Sequence, residues 1–199
     1  RTSDRCRFWF WTLIPAKIET KTYIYSTFHI CWGAQAGLYY HYGIDKYALP
    51  KKLSGIYEHR LIKQTELTRG FDEVFLAPHS RYTGTRSENI RKTEGLEILA
   101  ESEVAGVYLV VSENCRQVFV PGHPEYEVDT LASEYERDLK KGISPDIPEN
   151  YFPENNPAEH PCMRWRSHAN LLFSNWLNYY VYQRTPYEFE DERAIKKRG

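Results

Sequence analysis

The chain has 199 residues, 41% hydrophobic and 27% charged, the profile of a globular protein of one domain with a core of its own. A formal net charge of −1 gives no basic footprint for nucleic acid or an anionic membrane surface. No apolar run is long enough to span a bilayer and no stretch reads as a signal peptide. The four cysteines, Cys6, Cys31, Cys115 and Cys162, form no C-x-x-C pair. That argues against zinc or a disulfide framework and for reduced thiols in the cytoplasm. The chain starts at Arg1 rather than methionine, so its natural start is expected to be absent.

Taken in order, RFWFWTLI at 7–14 is an apolar run closed by Pro15 and predicts a buried strand. TYIYSTFHI at 22–30 is β-branched and aromatic and predicts a second strand. Small residues from Ala34 to Tyr42 predict a helix stopped by Gly43. A Pro-Lys-Lys turn then leads into a strand, LSGIYEHRLI, and EVFLA at 73–77 predicts a short strand ending at Pro78. LEILAES, GVYLVVS and RQVFV read as a β-meander with the turn ENC between the last two. A helix is predicted from Asp129 to Lys141, its apolar side on Leu131, Tyr135 and Leu139, with Gly142 as its stop. Residues 143–161 carry five prolines and read as an ordered surface loop or extended arm. Ser167 is the expected N-cap of a last helix ending before Pro186, and the tail DERAIKKRG is expected to fray. Strands and helices alternate around Cys31, so the fold class is α/β.

Cys31 sits where a strand becomes a helix, among Gly33, Ala34, Ala36 and Gly37. This is the composition of a nucleophile elbow, in which a tight turn lifts the reactive side chain off the sheet edge. A helix N-terminus there directs backbone N–H groups, beginning with Trp32, at the thiol. Their partial positive charge favours a thiolate and an oxyanion. The competing reading is a small buried core thiol. A nucleophilic cysteine needs a base, and the base an orienter. GHPE at 122–125 follows another strand and supplies His123 and Glu125. The competing reading there is a surface loop with a stray histidine. His29 and His41 are expected to be structural, and His59, His79, His160 and His168 lack metal-ligand spacing. The charged face of the 129–141 helix reads as solvated, with Arg137 the member able to turn inward toward a substrate carboxylate.

With these motifs in place, the sequence resembles the MetA family of homoserine O-acyltransferases, whose members make O-acetyl- or O-succinylhomoserine for methionine biosynthesis. The resemblance rests on HICWGAQAGLYYHYGI, KLSGIYEHRL, TRGFDEVFLAPHSRYT, GHPEYEVDTLASEYERDL, NYFPENNP and WRSHANLLFSNWLNYYVYQRTPY. It implies a class I glutamine amidotransferase-like, flavodoxin-like three-layer sandwich on a mostly parallel sheet. It places Cys31 as the acyl-thioester nucleophile, His123 as general base and Glu125 as its partner. It places Lys52, Ser80 and Arg137 at the homoserine site, and Lys17, in LIPAKIETKT, near the active site as a further substrate-binding residue. It implies acetyl-CoA or succinyl-CoA as donor substrate, L-homoserine as acceptor, and no bound cofactor or metal.

One departure is large. The family carries a long stretch between the LIPAKIETKT-like motif and the elbow, whereas here Thr22 is followed directly by Tyr23 and the elbow strand. The expectation is one acyltransferase domain over 1–199. Residues 1–22 are a remnant of the first strand and its loop, 23–187 the catalytic part and 188–199 the charged tail. The sheet is expected to be incomplete, and its exposed edges favour association, for instance as a homodimer. The primary reading is acetyl transfer, since the elbow segment is similar to that of acetylating members. Succinyl transfer and a truncated, inactive family member are the alternatives. A glutaminase is a further class, but His29 stands where such enzymes usually carry glycine two residues before the nucleophile.

Overall fold

The computed structural model describes residues 25–185. The strand expected at 7–14, Lys17, the Thr22–Tyr23 junction and the charged tail lie outside those residues. The described strands are β1 (Thr27–Ile30), β2 (Lys46–Leu61), β3 (Val74–Thr85), β4 (Leu96–Ser102), β5 (Gly106–Ser112) and β6 (Gln117–Val120). They form one sheet in the order β1-β6-β5-β4-β2-β3. The helices are α1 (Trp32–Tyr42), a short α2 (Ser87–Arg91), α3 (Thr130–Lys140) and α4 (Arg166–Asn175), the last continuing as a π-helical stretch over Trp176–Tyr182.

The α/β class and the amidotransferase-like layering hold, but the strand directions differ from the expected mostly parallel sheet. Among the described residues only β1 and β6 run parallel; the pairings of β2 with β3, β2 with β4, β4 with β5 and β5 with β6 are antiparallel. The physical reason is connection length. The turns between β4, β5 and β6 are too short for a crossover, so those strands return as hairpins. β1 is the terminal strand among the described residues, which fits the expected incomplete sheet.

Side-chain alternation sorts the core into two layers. Val118 and Val120 of β6 face a cluster with Leu109, Val111, Leu172 and Tyr180. Phe119 between them faces Ala34 and Leu38 of α1, with Ile90 and Val110. Helices thus cover both faces, and the meander strands are buried on both sides, as their continuous apolar runs require.

Two strands are longer than expected. β2 runs through Pro50-Lys51-Lys52 as a register break between Ala48 and Leu53 instead of beginning after it. β3 runs through Pro78, which pairs with Ile56. The missing proline N–H is tolerated because β3 is an edge strand. The proline-rich segment is an ordered surface loop with a buried root. Tyr151 and Phe152 join Ile56, Leu131 and Trp165 in a third cluster. That segment adds to β2, with Ile56 N–H donating to Glu149 O at 2.8 Å and Glu149 N–H to Ser54 O at 2.8 Å. Only glycine fits at position 55: its φ is +148° and a Cβ would lie 2.3 Å from Glu149 O. Helix α4 begins two residues earlier than expected, capped at Trp165 rather than Ser167 and without a side-chain cap bond. Burial of Trp165 in the third cluster, not capping chemistry, sets that start.

Candidate active site

β1 ends at Cys31, which is the N-cap of α1 and adopts φ 49° and ψ −114°. Non-glycine residues rarely hold such a conformation, and it survives only where the surroundings impose it. They do so here from both sides. Cys31 N–H donates to Val120 O at the end of β6 at 2.7 Å, and Cys31 O accepts from Gln35 N–H at 3.2 Å. Small residues let α1 lie directly on the sheet, with Ala34 and Leu38 fully buried. The half-buried thiol therefore projects where the N-terminus of α1 meets the ends of two parallel strands.

β6 delivers His123 to the same edge. Gly122 follows it in tight quarters: a Cβ there would lie 2.7 Å from the Tyr108 ring and 3.1 Å from Pro78 O. That close approach lets His123 N–H donate to Pro78 O at 2.9 Å, which anchors the turn to β3. The His123 ring stacks on Tyr126 at 4.0 Å between centroids. Its Nδ1–H donates to Glu125 Oε1 at 2.6 Å, and the ring also interacts with the Cys31 thiol. Burial works against a charged His123 imidazole, but the bonds to Cys31 and Glu125 outweigh it and raise its pKa to about 9. His123 is therefore an imidazolium at neutral pH, held beside the Cys31 thiol and the Glu125 carboxylate.

A second cluster adjoins the first through β3, where Ser80 O lies 4.0 Å from Cys31 Sγ. Ser80 Oγ donates a short hydrogen bond to Glu134 Oε2 of α3. Tyr126 OH donates to Glu134 Oε1 at 2.6 Å. Lys52, in the register break of β2, places Nζ 3.1 Å from both Glu134 Oε2 and Asp138 Oδ2. Burial raises the Glu134 pKa, yet the donors Ser80, Tyr126 and Lys52 prevail and hold its carboxyl below the ordinary value. Arg137 is not turned inward. Its side chain is 52% exposed, and its Nε and Nη2 clasp Asp138 Oδ1 at 3.0 and 2.9 Å.

The structure thus gathers Cys31, His123 and Glu125 in one group and Lys52 and Ser80 in a second beside it, with Arg137 at the rim of the second. Trp32 opens α1 next to the thiol, and Lys17 lies outside the described residues. Sequence reasoning missed Tyr126, Glu134 and Asp138. The signal was present in the helix period. Leu131, Glu134, Tyr135 and Asp138 lie at i, i+3, i+4 and i+7, one face of α3, whereas Leu139, assigned to that face, is 47% exposed. Reading carboxylates as solvated hid them.

The remaining central histidines are structural, as expected for His29, which stacks on Phe119 and shares a 3.0 Å hydrogen bond with Thr27 Oγ1. His59 and His79 are fully buried and share a 3.0 Å Nε2–Nε2 contact. Burial, with the nearby charge of His41, lowers His29 from 6.5 to about 4. Burial and Arg81 lower His59 to about 3, and burial, His59 and Arg81 hold His79 well below 6.5. Each is neutral when folded and takes a proton when unfolded below pH 6.5. Stability is therefore whole above that pH and falls as pH drops from 6.5 toward 4, by up to about 1.4 kcal/mol per pH unit for each histidine. His123, raised from 6.5 to about 9, has the opposite sign: its stabilisation is fully present only below 6.5, so between pH 7 and 6 it offsets part of the loss from the three neutral histidines and at lower pH adds no slope. Urea unfolding at pH 7, 6 and 5 should show a falling midpoint; equal midpoints would refute the assignment of neutral histidines.

A family model for homoserine O-succinyltransferase matches residues 7–187. The chain belongs to the homoserine O-succinyltransferase family. It is 59% identical over 183 residues to a homoserine O-acetyltransferase of Geobacillus sp. (strain WCH70), an alignment covering 91% of this chain and 61% of that protein. It is 60% identical over 169 residues to a homoserine O-acetyltransferase of Bacillus cytotoxicus, covering 84% of this chain and 56% of the relative. This family member therefore spans about three fifths of the length of the curated relatives it matches. Among solved structures it resembles a glutamine amidotransferase from Thermotoga maritima, with a TM-score of 0.63 at 16% identity over 90% of this chain and 72% of that one. A glutamine amidotransferase from Methylobacillus flagellatus gives 0.62 at 13% identity over 92% and 74%. These likenesses establish for the family member its class I amidotransferase-like fold. Among the described residues no helix is long and apolar enough to cross a membrane.

Proposed function

We propose that this chain is a cytoplasmic homoserine O-acetyltransferase, moving an acetyl group from acetyl-CoA to the hydroxyl of L-homoserine through a thioester on Cys31. The observation that carries the reading is the convergence of Cys31, His123 and Glu125 at one sheet edge, in a chain 59–60% identical to proteins named for that activity. In the first half-reaction the Cys31 thiolate attacks the acyl carbon and the coenzyme A thiolate leaves. The N–H of Trp32, at the start of α1, supports the developing oxyanion in this reading. Acylation removes the thiolate charge that helped hold the proton on His123. Burial then favours neutral imidazole, so His123 becomes the base for the homoserine hydroxyl while Glu125 keeps its tautomer. The oxygen attacks the thioester carbon, and the sulfur leaves as thiolate and re-forms the ion pair.

The Lys52–Ser80–Glu134 cluster supplies a polar floor beside the thiol for a small zwitterionic acceptor. Glu134 has the charge to receive its ammonium, and the exposed edge of Arg137 its carboxylate. The family model is named for succinyl transfer and the relatives for acetyl transfer, so donor choice is the point to test. Intact-protein mass spectrometry after incubation with each acyl-CoA should show one acetyl group on Cys31, removed on adding homoserine. Labelling by succinyl-CoA alone would assign the other donor. Labelling by neither, with glutamine hydrolysis that disappears in Cys31→Ala, would return the chain to the amidotransferase chemistry of its structural neighbours.

A further inference from the structure

Beneath the elbow lies a charged residue the mechanism has not used. Arg81 follows Ser80 on β3 and leaves the strand on the opposite side. It is 7% exposed, yet every acceptor it reaches is neutral. Nη1 donates to Thr83 O at 2.7 Å, Nη2 to Ala105 O, and Nε to His79 Nδ1 at 3.4 Å. Burial keeps His79 uncharged. No carboxylate among the described residues forms an ion pair with Arg81. A buried cation without a counter-ion is costly unless something in the working state supplies one.

Its connections lead to the nucleophile. Thr83 O also accepts from Gln35 Nε2 at 3.0 Å, and Thr83 Oγ1 donates to Gln35 Oε1 at 2.6 Å. Gln35 is 2% exposed and its N–H bonds Cys31 O. One buried network therefore links the guanidinium to the first turn of α1. We propose that Arg81 is a positioning residue whose uncompensated buried charge is the fixed counter-ion of the Cys31 thiolate, with Thr83 and Gln35 holding it in register with the elbow. Burial lowers the Arg81 pKa and the charge of Cys31 opposes that loss, so the two groups lie within electrostatic reach. The other titratable groups facing the thiol are His123 and Tyr126, from the turn after β6. Of these only His123 takes the Cys31 proton: the S–H bond breaks, the proton passes to the imidazole, and the sulfur pair stays on Cys31. His123 gives up that charge in the second half-reaction, whereas Arg81 keeps its charge throughout. Arg81 thus makes the thiolate a competent leaving group when the thioester collapses.

The proposal rests on the nucleophilic reading of Cys31, but its test needs no acyl donor. The rate of Cys31 alkylation by iodoacetamide, located by peptide mass spectrometry, is followed against pH in the parent, Arg81→Met and Arg81→Lys. Arg81→Met should raise the midpoint by about one pH unit, a tenfold loss of thiolate below it, while Arg81→Lys restores most of the shift. A prop without an electrostatic role would leave the midpoint where it was, and a folded Arg81→Met with the parent profile overturns the proposal. If the methionine variant does not fold, the Arg81 Nε resonance of the parent, assigned by its loss in Arg81→Lys, decides instead. It should titrate with the Cys31 midpoint and move on alkylation; a stationary resonance overturns the proposal. Failure of acyl labelling with a shifted alkylation midpoint would count against the acyltransferase reading alone.

Discussion

Cys31→Ala should abolish acyl labelling and lower homoserine acylation by about a thousandfold or more, the scale on which loss of a covalent nucleophile acts. The expectation follows from where the thiol stands. It has the N-terminus of α1 behind it, His123 beside it and a strained φ of 49° that holds it off the sheet. His123→Asn should cost about 10²- to 10⁴-fold. It should do so in both half-reactions, because in the proposed mechanism the same ring first receives the thiol proton and later takes the hydroxyl proton. Glu125→Gln keeps a partner for Nδ1 and removes its charge, so its loss should be smaller. The double variant Cys31→Ala/His123→Asn should be no slower than Cys31→Ala alone, since groups acting as one unit do not add. Stopped assays with acetyl-CoA and homoserine measure all four. Unchanged transfer in Cys31→Ala would sink the thioester mechanism, and additive losses would dissolve the pairing with His123.

Lys52→Met should have the largest effect on stability among variants near the site. Lys52 and Glu134 are each only 17% exposed at the side chain, with 3.1 Å between Nζ and Oε2. Removing the cation leaves the Glu134 carboxylate held only by Ser80 and Tyr126. Stripping one partner from a fully buried pair costs about 3–5 kcal/mol, and the residual exposure here brings the expectation to about 2–3 kcal/mol at pH 7. The sign with pH is fixed by the depressed carboxyl. Its stabilisation is present above the unfolded carboxylate range and lost as pH falls through the folded value. Without Lys52 that loss should begin at higher pH. Urea unfolding at several pH values checks both statements. Lys52→Met/Glu134→Gln should recover part of the lost stability, whereas a parent-like midpoint for Lys52→Met would show the pair to be without net effect.

The elbow was legible because its chemistry is local. A β-branched run ending on Cys31, the small residues after it and Gly43 at the far end specify strand, turn and helix within a few residues. The meander and His123 with Glu125 were legible for the same reason, since hairpin turns and a two-residue spacing need no distant partner. Pro78 misled because a proline ends a strand only where its N–H is required, and whether β3 lies at an edge depends on strands far away.

The sequence by itself determined the class, the family resemblance and the candidates Cys31, His123 and Glu125. Composition, period and short spacing carry those. Only the tertiary structure decided which strands run antiparallel, which carboxylates turn inward and which buried cation has no carboxylate partner among the described residues. Glu134 and Asp138 read as solvent-facing until β2 brings Lys52 against α3. Arg81 lies past the predicted strand end at Pro78 and carries no signal until Thr83, Ala105 and His79 close around it. Charge in a sequence carries a sign but no dielectric, and burial, which sets how strongly that charge acts, exists only once distant segments have packed.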